Sequence, residues 1–341
     1  MVDARYIEPH GNGYRVKGPT YPSKEEALKA RDRMMEQGDA VETTIIPTPL
    51  DLLDRADADR FWDAFKNWQS IQQATETEVD AAEITLPDNQ PALFGYFDDG
   101  HLCHLWCRSD LIEHDLKLLG STPGFYGAGG GDLFENVIQS SPAGSQWEQI
   151  ARPRIQKLLA RHVLGWAGDK IKAIVLGNHP GRSIKDDDFD PMAWLAQELE
   201  VPYFGPWGVL TVHLGSQSYR LLLAHSFRGR SAIHKTSQAK KALDVVGDCD
   251  AVFTGHTHDP ASESAYVRHQ ARFFGQAGTY LAKSSYAKGL GYGRGQAVMP
   301  GALLFPDEHR LIGVHDVFTE GVHLLASYRS DVRCECQWCR Q

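Results

Sequence analysis

From Pro91 onward the chain repeats one pattern, a short and almost wholly apolar run followed by a polar loop. The runs are ALFGYF (92–97), KAIVLG (172–177), GVLTVHLG (208–215), YRLLLAHSF (219–227) and DAVFTG (250–255). Runs of this kind suit strands buried on both faces. Helical stretches lie between several of them: 146–163, 190–200 and 236–246. The alternation predicts an α/β layered domain. Polar and charged residues gather where the runs end, where ligand sites of open α/β sheets lie.

The region before Pro91 reads differently. Arg5 to Lys17 alternates around the turn signal HGNG, which predicts a hairpin. A helix is expected next, with Ser23 and Glu26 in capping-box spacing and Gly38 to end it. This small unit, residues 1–40, resembles the strand-plus-helix arm modules of phage integrases and AP2-like DNA-binding domains. The resemblance implies nucleic-acid binding; a packing appendage is the alternative reading. Residues 41–90 turn acidic. Thr48-Pro49 with Asp51 opens a helix on which Phe61, Phe65, Trp68 and Ile71 share an apolar face, expected to dock onto a neighbour. Residues 74–91 are expected to form a solvated connector. The catalytic domain is expected over 91–325, followed by a cysteine-containing tail, 326–341.

Composition narrows the function classes. With 341 residues, 42% apolar and 23% charged, the chain suits a protein with a sizeable core. A formal net charge of −9 argues against binding nucleic acid by general field, though not at a local site carrying metal. The first residues lack a signal-peptide pattern, and no apolar run approaches the roughly 18 residues of a spanning helix. Six cysteines in a chain this long make no disulfide framework, so a cytoplasmic location is expected and no membrane partner.

The loops that follow the runs carry the chemistry. GYFDDGHLCH supplies Asp99 and His101, GAGGGDLFEN supplies Asp132, and IVLGNHPGR supplies Asn178 and His179. His225 follows LLLA, and His256 and His258 stand in FTGHTHDP. Carboxylate, amide oxygen and imidazole together suit divalent Mn, Fe or Zn. No Lys-Ser/Thr follows the glycines of GAGGGD, so a Walker loop is excluded. GLGYGRG (289–295) lacks the dinucleotide spacing and is expected to be a loop.

In order, these blocks read D-x-H, G-D, G-N-H, H and G-H-x-H over residues 99–258, and the sequence closely resembles the calcineurin-like metallophosphoesterase superfamily, particularly its phage and prophage-encoded branch. The resemblance implies a layered β-sandwich flanked by helices, the metallophosphoesterase fold, and two divalent ions, Mn²⁺ first with Fe or Zn as alternatives. It assigns Asp99, His101 and His258 to one ion and Asn178, His225 and His256 to the other, with Asp132 bridging. His179 falls outside the ligand set, near the substrate phosphate, as a proton donor. Two positions depart from the family pattern: Pro180 stands where Asp or Glu usually follows G-N-H, and Asp98 where Ser usually precedes D-x-H. Neither is a ligand position.

The implied activity is hydrolysis of a phosphoester, with a phosphodiester (DNA, RNA or a cyclic nucleotide) favoured, by a metal-bridging hydroxide. A phosphomonoesterase and a non-catalytic nucleic-acid-binding scaffold are the alternatives. Arg182 suits a phosphate oxygen, or equally an ion pair with Asp186–Asp188. Asn136 suits either support of the substrate site or stabilisation of its own loop. Cys334, Cys336 and Cys339 in the tail hint at a zinc knot completed by Cys103, His104 or Cys107; free thiols are the alternative.

Overall fold

A computed structural model of the chain describes residues 78–332, apart from 142–144, 232 and 290–292. It also describes a helix at 55–75 and residues 8–10, 13–15, 20–21, 25–26, 28–30 and 33. The chain divides into two compact units, residues 1–76 and 77–341. The tail cysteines, Ser23, Gly38 and the 48–51 helix start lie outside the described residues.

In the first unit two antiparallel strands, β1 (Glu8–His10) and β2 (Gly13–Arg15), pair with Glu8 opposite Arg15. A third strand, β3 (Thr20–Tyr21), pairs with β2, and helical residues follow between 25 and 33. The helix α1 (Arg55–Thr75) carries the aromatic stripe. Phe65, Trp68 and Ile71, expected to bury against a neighbour, are exposed, and Trp62 stacks on Phe65 one turn along.

The second unit holds two sheets. Six strands run in the order β11-β12-β10-β9-β8-β4: Ala261–Val267, Gln270–Gln276, Ala251–Thr254, Gln217–Ala224, Trp207–Leu214 and Ala81–Thr85. Five run β14-β13-β5-β6-β7: Leu311–Val314, Gly301–Leu304, Ala92–Phe97, Phe125–Gly129 and Ile171–Ile174. Their inner faces share one core, to which Phe94, Tyr96 and Leu304 of one sheet and Leu210, Leu221 and Phe253 of the other contribute. Tyr96 stacks on Phe253 across the gap with ring centroids 5.9 Å apart. Helices α2 (Ser109–Ser121), α3 (Pro153–Leu164), α4 (Gly181–Asp187), α5 (Pro191–Glu198) and α6 (Ser237–Val246) lie in the connections between strands. The fold is thus the mixed α/β, two-sheet sandwich with flanking helices that was expected.

The connector expected at 74–91 is corrected in part. Its residues 81–85 pair in parallel with β8, Ala81 opposite Val209, and alternate between exposed and half-buried. An edge strand keeps one face in water, so its acidic composition disguised it.

Candidate metal centre

The sheet pairing explains why distant loops meet. β5, β6 and β7 are mutually parallel, and so are β9 and β10. Parallel neighbours place their C-terminal ends on one edge, so the loops after all five strands emerge together. The Tyr96 hydroxyl, near the end of β5, lies 2.9 Å from the carbonyl of Ala224 at the end of β9, which ties the two sheets at that edge.

Two clusters of donor atoms form there. In the first, His258 Nε2 stands 3.1 Å from Asp99 Oδ1 and 3.0 Å from His101 Nε2. In the second, His225 Nε2 stands 3.0 Å from Asn178 Oδ1, 3.1 Å from His256 Nδ1 and 3.4 Å from Asp132 Oδ2. The two sets Asp99–His101–His258 and Asp132–His225–His256 each offer one donor atom per residue, all within 4.8 Å of one another. The Asp132 side chain lies against the second cluster; toward the first it offers its carbonyl, which accepts from the His101 N–H at 2.9 Å.

Several of these residues hold backbone that side chains disfavour. Asp99, His101, His256 and His258 have φ of 51°, 48°, 70° and 59°. Hydrogen bonds from neighbouring segments fix them there. Tyr280 N and Thr279 Oγ1 donate to the Asp99 carbonyl at 3.0 and 2.9 Å, and His256 N donates to Asp99 Oδ2 at 2.6 Å.

A second layer of carboxylates stands behind the histidines. Glu135 Oε2 is 2.8 Å from His101 Nδ1, and both oxygens of Asp98 are 3.0 Å from His225 Nδ1. Each ring thus donates from Nδ1 to a carboxylate and turns Nε2 toward its cluster. The glycines of GAGGGD and FTGH make room: a Cβ at Gly131 would overlap His225 Nδ1 and Asp98 Oδ1, and one at Gly255 would overlap Asp98 Oδ2.

His179 stands beside Asp132, mostly buried. Its N–H donates to Asp132 Oδ1 at 2.7 Å, and its Nδ1 donates to the Glu135 carbonyl at 2.7 Å. Nε2 is left facing Asp132 Oδ2 at 3.7 Å. Pro180 opens α4 directly after it, a position where a missing N–H costs nothing.

Asn136 is fully buried, and its Nδ2 donates to the His179 carbonyl at 2.7 Å and to Ser183 Oγ at 3.0 Å, which ties the His179 segment to its loop. Arg182 Nη1 donates to the carbonyls of Glu135 at 3.2 Å and Asn136 at 3.4 Å. The supplementary zinc ligands are also engaged: His104 Nδ1 accepts from Trp106 N, and Cys107 Sγ donates to the Gly100 carbonyl.

Charge is concentrated to match. Asp98, Asp99, Asp132 and Glu135 are all buried here, and buried carboxylates need counter-charge. Burial alone would raise Asp132, but His179 and His225 hold it well below the usual carboxylate range. Asp99 is likewise held down, by His258 and His101 against burial. Burial opposes charge on His101 too, yet Asp99 and Glu135 push it up to about 10. Asp98 and Asp132 similarly raise His225 well above its ordinary value, against burial. Burial takes the other two the opposite way, His179 and His256 each falling to about 4. Converging imidazole lone pairs, one amide oxygen and several carboxylates are a donor set that fits divalent cations.

No family model and no curated protein matches the sequence. Several solved structures resemble the fold. A protein of Streptococcus pneumoniae described as a predicted phosphoesterase is 13% identical, with a TM-score of 0.30, over 66% of this chain and 98% of that one. A metallophosphoesterase of Sphaerobacter thermophilus is 16% identical, with a TM-score of 0.31, over 71% and 100%. A calcineurin-like phosphoesterase of Bacillus subtilis is 10% identical, with a TM-score of 0.36, over 67% and 89%.

Sequence reasoning missed the supporting carboxylates. Glu135, three residues after Asp132, was not singled out at all, and Asp98 was noticed only as a departure from a family pattern. The available signal was physical: FDDG places two consecutive carboxylates at the end of an apolar run, where at least one must be buried and partnered.

Proposed function

We propose that the protein is a metal-dependent phosphoesterase of the calcineurin-like type, acting on a phosphodiester in a nucleic acid or nucleotide. The observation that carries this reading is the pair of donor clusters, with Asp98 and Glu135 buried behind them, at the edge where the ends of five strands meet. Asp99, His101 and His258 would hold one divalent ion and Asn178, His225 and His256 the other, with Asp132 between them. Bound there, the two ions would supply positive charge for an anionic ester and water activation near neutral pH.

The chain's own residues supply the rest. His179 Nε2 stands 3.7 Å from Asp132 Oδ2 while its Nδ1 and backbone N–H are anchored, so the ring is held beside the ions' ligands for contact with a phosphoryl or leaving-group oxygen. At a value near 4 the ring is neutral at pH 7 and Nε2 accepts; an incoming phosphate anion favours the imidazolium that can donate. Arg182 and Asn136 position this histidine through the 135–136 loop. The first unit would deliver a nucleic-acid strand, and the location would be cytoplasmic. Among the described residues no helix is long and apolar enough to cross a membrane.

The test is a substrate panel in Mn²⁺, Fe²⁺ and Zn²⁺: bis(p-nitrophenyl) phosphate, single- and double-stranded DNA, RNA, cyclic nucleotides and phosphomonoesters. Turnover of diesters above monoesters is expected, with Mn²⁺ most effective. Monoester preference would favour the phosphomonoesterase, and no turnover with any ion would leave a binding scaffold.

A further inference from the structure

We infer that Asp98 is a positioning residue that locks the His225 ring for one of the two ions, and this inference rests on the metal-site reading above. Asp98 ends the apolar run of β5 and is only 1% exposed. Its carboxylate joins the ends of two strands, β5 and β9. Oδ1 accepts the Asp99 N–H at 2.8 Å, Oδ2 lies 3.1 Å from the Tyr96 hydroxyl, and both oxygens lie 3.0 Å from His225 Nδ1. Gly131 and Gly255 close around it so tightly that neither tolerates a Cβ.

Asp98 is not itself a ligand to that ion. It faces Nδ1, whereas the donor cluster gathers on Nε2, the opposite side of the same ring. A carboxylate on the far nitrogen fixes the tautomer, stops rotation of the ring and makes Nε2 a stronger donor. A serine at this position reaches less far and carries no charge, so the carboxylate marks a site in which His225 is held more firmly. The first cluster does not depend on this contact, because His101 takes its Nδ1 partner from Glu135. Asp98 touches the first cluster only through the Asp99 N–H that its Oδ1 accepts at 2.8 Å, so its larger effect falls on the ion at His225.

The experiment is calorimetric titration of metal-free full-length protein with Mn²⁺, read beside thermal melting of the same metal-free samples. Wild type is expected to take two ions. Asp98→Ala is expected to weaken the step at His225 by about 10–100-fold and the other step by a clearly smaller factor, through loss of the acceptor for the Asp99 N–H. Asp98→Asn, whose amide oxygen can still accept from Asp99 N and His225 Nδ1, is expected to weaken the same step by about threefold or more through loss of charge. In crystals at limiting Mn²⁺, anomalous signal is expected at Asp99–His101–His258 and absent at Asn178–His225–His256 in Asp98→Ala. Two unchanged affinities in a folded Asp98→Ala protein overturn the proposal, and so does equal weakening of both steps with a lowered melting temperature, which marks a merely structural role. If Asp98→Ala does not fold, Asp98→Asn decides, and unchanged binding overturns the proposal. Wild type that takes no ion brings down the metal-site reading itself, a failure distinguishable from the others.

Discussion

The two donor clusters draw on both sheets but are held in different ways. In Asp99–His101–His258 all three residues sit in left-handed backbone, at φ of 51°, 48° and 59°. In Asn178–His225–His256 only His256 does, at 70°, and the remaining order comes from side chains, above all Asp98 on His225. The first cluster thus stores its geometry in loop conformation, which neighbouring backbone hydrogen bonds must maintain. The second stores it in a buried carboxylate at the end of a rigid strand. Damage to surrounding loops should therefore disturb the first cluster more, and single side-chain changes the second.

Asp132 is where that contrast breaks down, and its loss should have the largest effect. Its side chain touches the second cluster and the His179 N–H, while its carbonyl takes the His101 N–H of the first. Asp132→Ala is expected to lower diesterase turnover on the order of 10³-fold or more, since several kcal/mol of charge stabilisation depends on the ions it helps hold. Metal counting sharpens the result. Loss of both ions supports a bridging carboxylate, whereas retention of the ion at Asp99–His101–His258 confines Asp132 to the second cluster.

His179→Ala comes next. Because His179 belongs to neither ligand set, the variant should bind two ions as wild type does while turnover falls about 10²–10⁴-fold, most steeply for poor leaving groups. Parallel loss of an ion would place His179 among the ligands and redraw the first cluster around the His101–Glu135–His179 group.

Much of this arrangement was legible in the residues, and the remainder was hidden for identifiable reasons. All five apolar runs became strands, because a continuous apolar stretch bounded by glycine and polar residues has few other uses. Each expected donor lies at the end of one of those runs or, for Asp132, of the unrecognised strand 125–129. That strand, FYGAG, went unread because close approaches at Gly127 and Gly129 favour small residues, which weaken its apolar pattern. Strand 261–267, ASESAYV, is too polar to announce itself and is covered on one side only. The insertion of β13 between β14 and β5 depends on sheet pairing, which one sequence does not encode locally. Asp98 and Glu135 were overlooked for a related reason: a supporting carboxylate is recognised by the ring nitrogen it faces, and that nitrogen lies 127 and 34 residues away along the chain.

A smaller effect is expected at Asn136. Its amide satisfies the His179 carbonyl and Ser183 Oγ inside the protein, so Asn136→Ala should cost about 1–3 kcal/mol of stability. A melting temperature lowered by several degrees, with kcat falling more than KM rises, fits a residue that positions His179. An effect on KM alone would return Asn136 to substrate contact.

The smallest expected effect is the pH response of the metal-free protein, and it separates rings by the sign of their shift. His101 is raised to about 10, mainly by Asp99 and Glu135 acting against burial. Its contribution is complete below the unfolded value near 6.5 and drains away as pH climbs through 10. His256 is lowered to about 4, chiefly by burial and then by His225. Its contribution is complete above about 6.5 and drains away as pH falls toward 4. Melting temperatures in chelator should therefore decline on both sides of roughly pH 6.5. His101→Gln should flatten the alkaline limb and His256→Gln the acid limb. Should His101→Gln leave the alkaline limb as steep as in wild type, the carboxylates behind the first cluster would not be holding a charged ring, and the contrast between strained loop and supporting side chain would have to be redrawn around His225 alone.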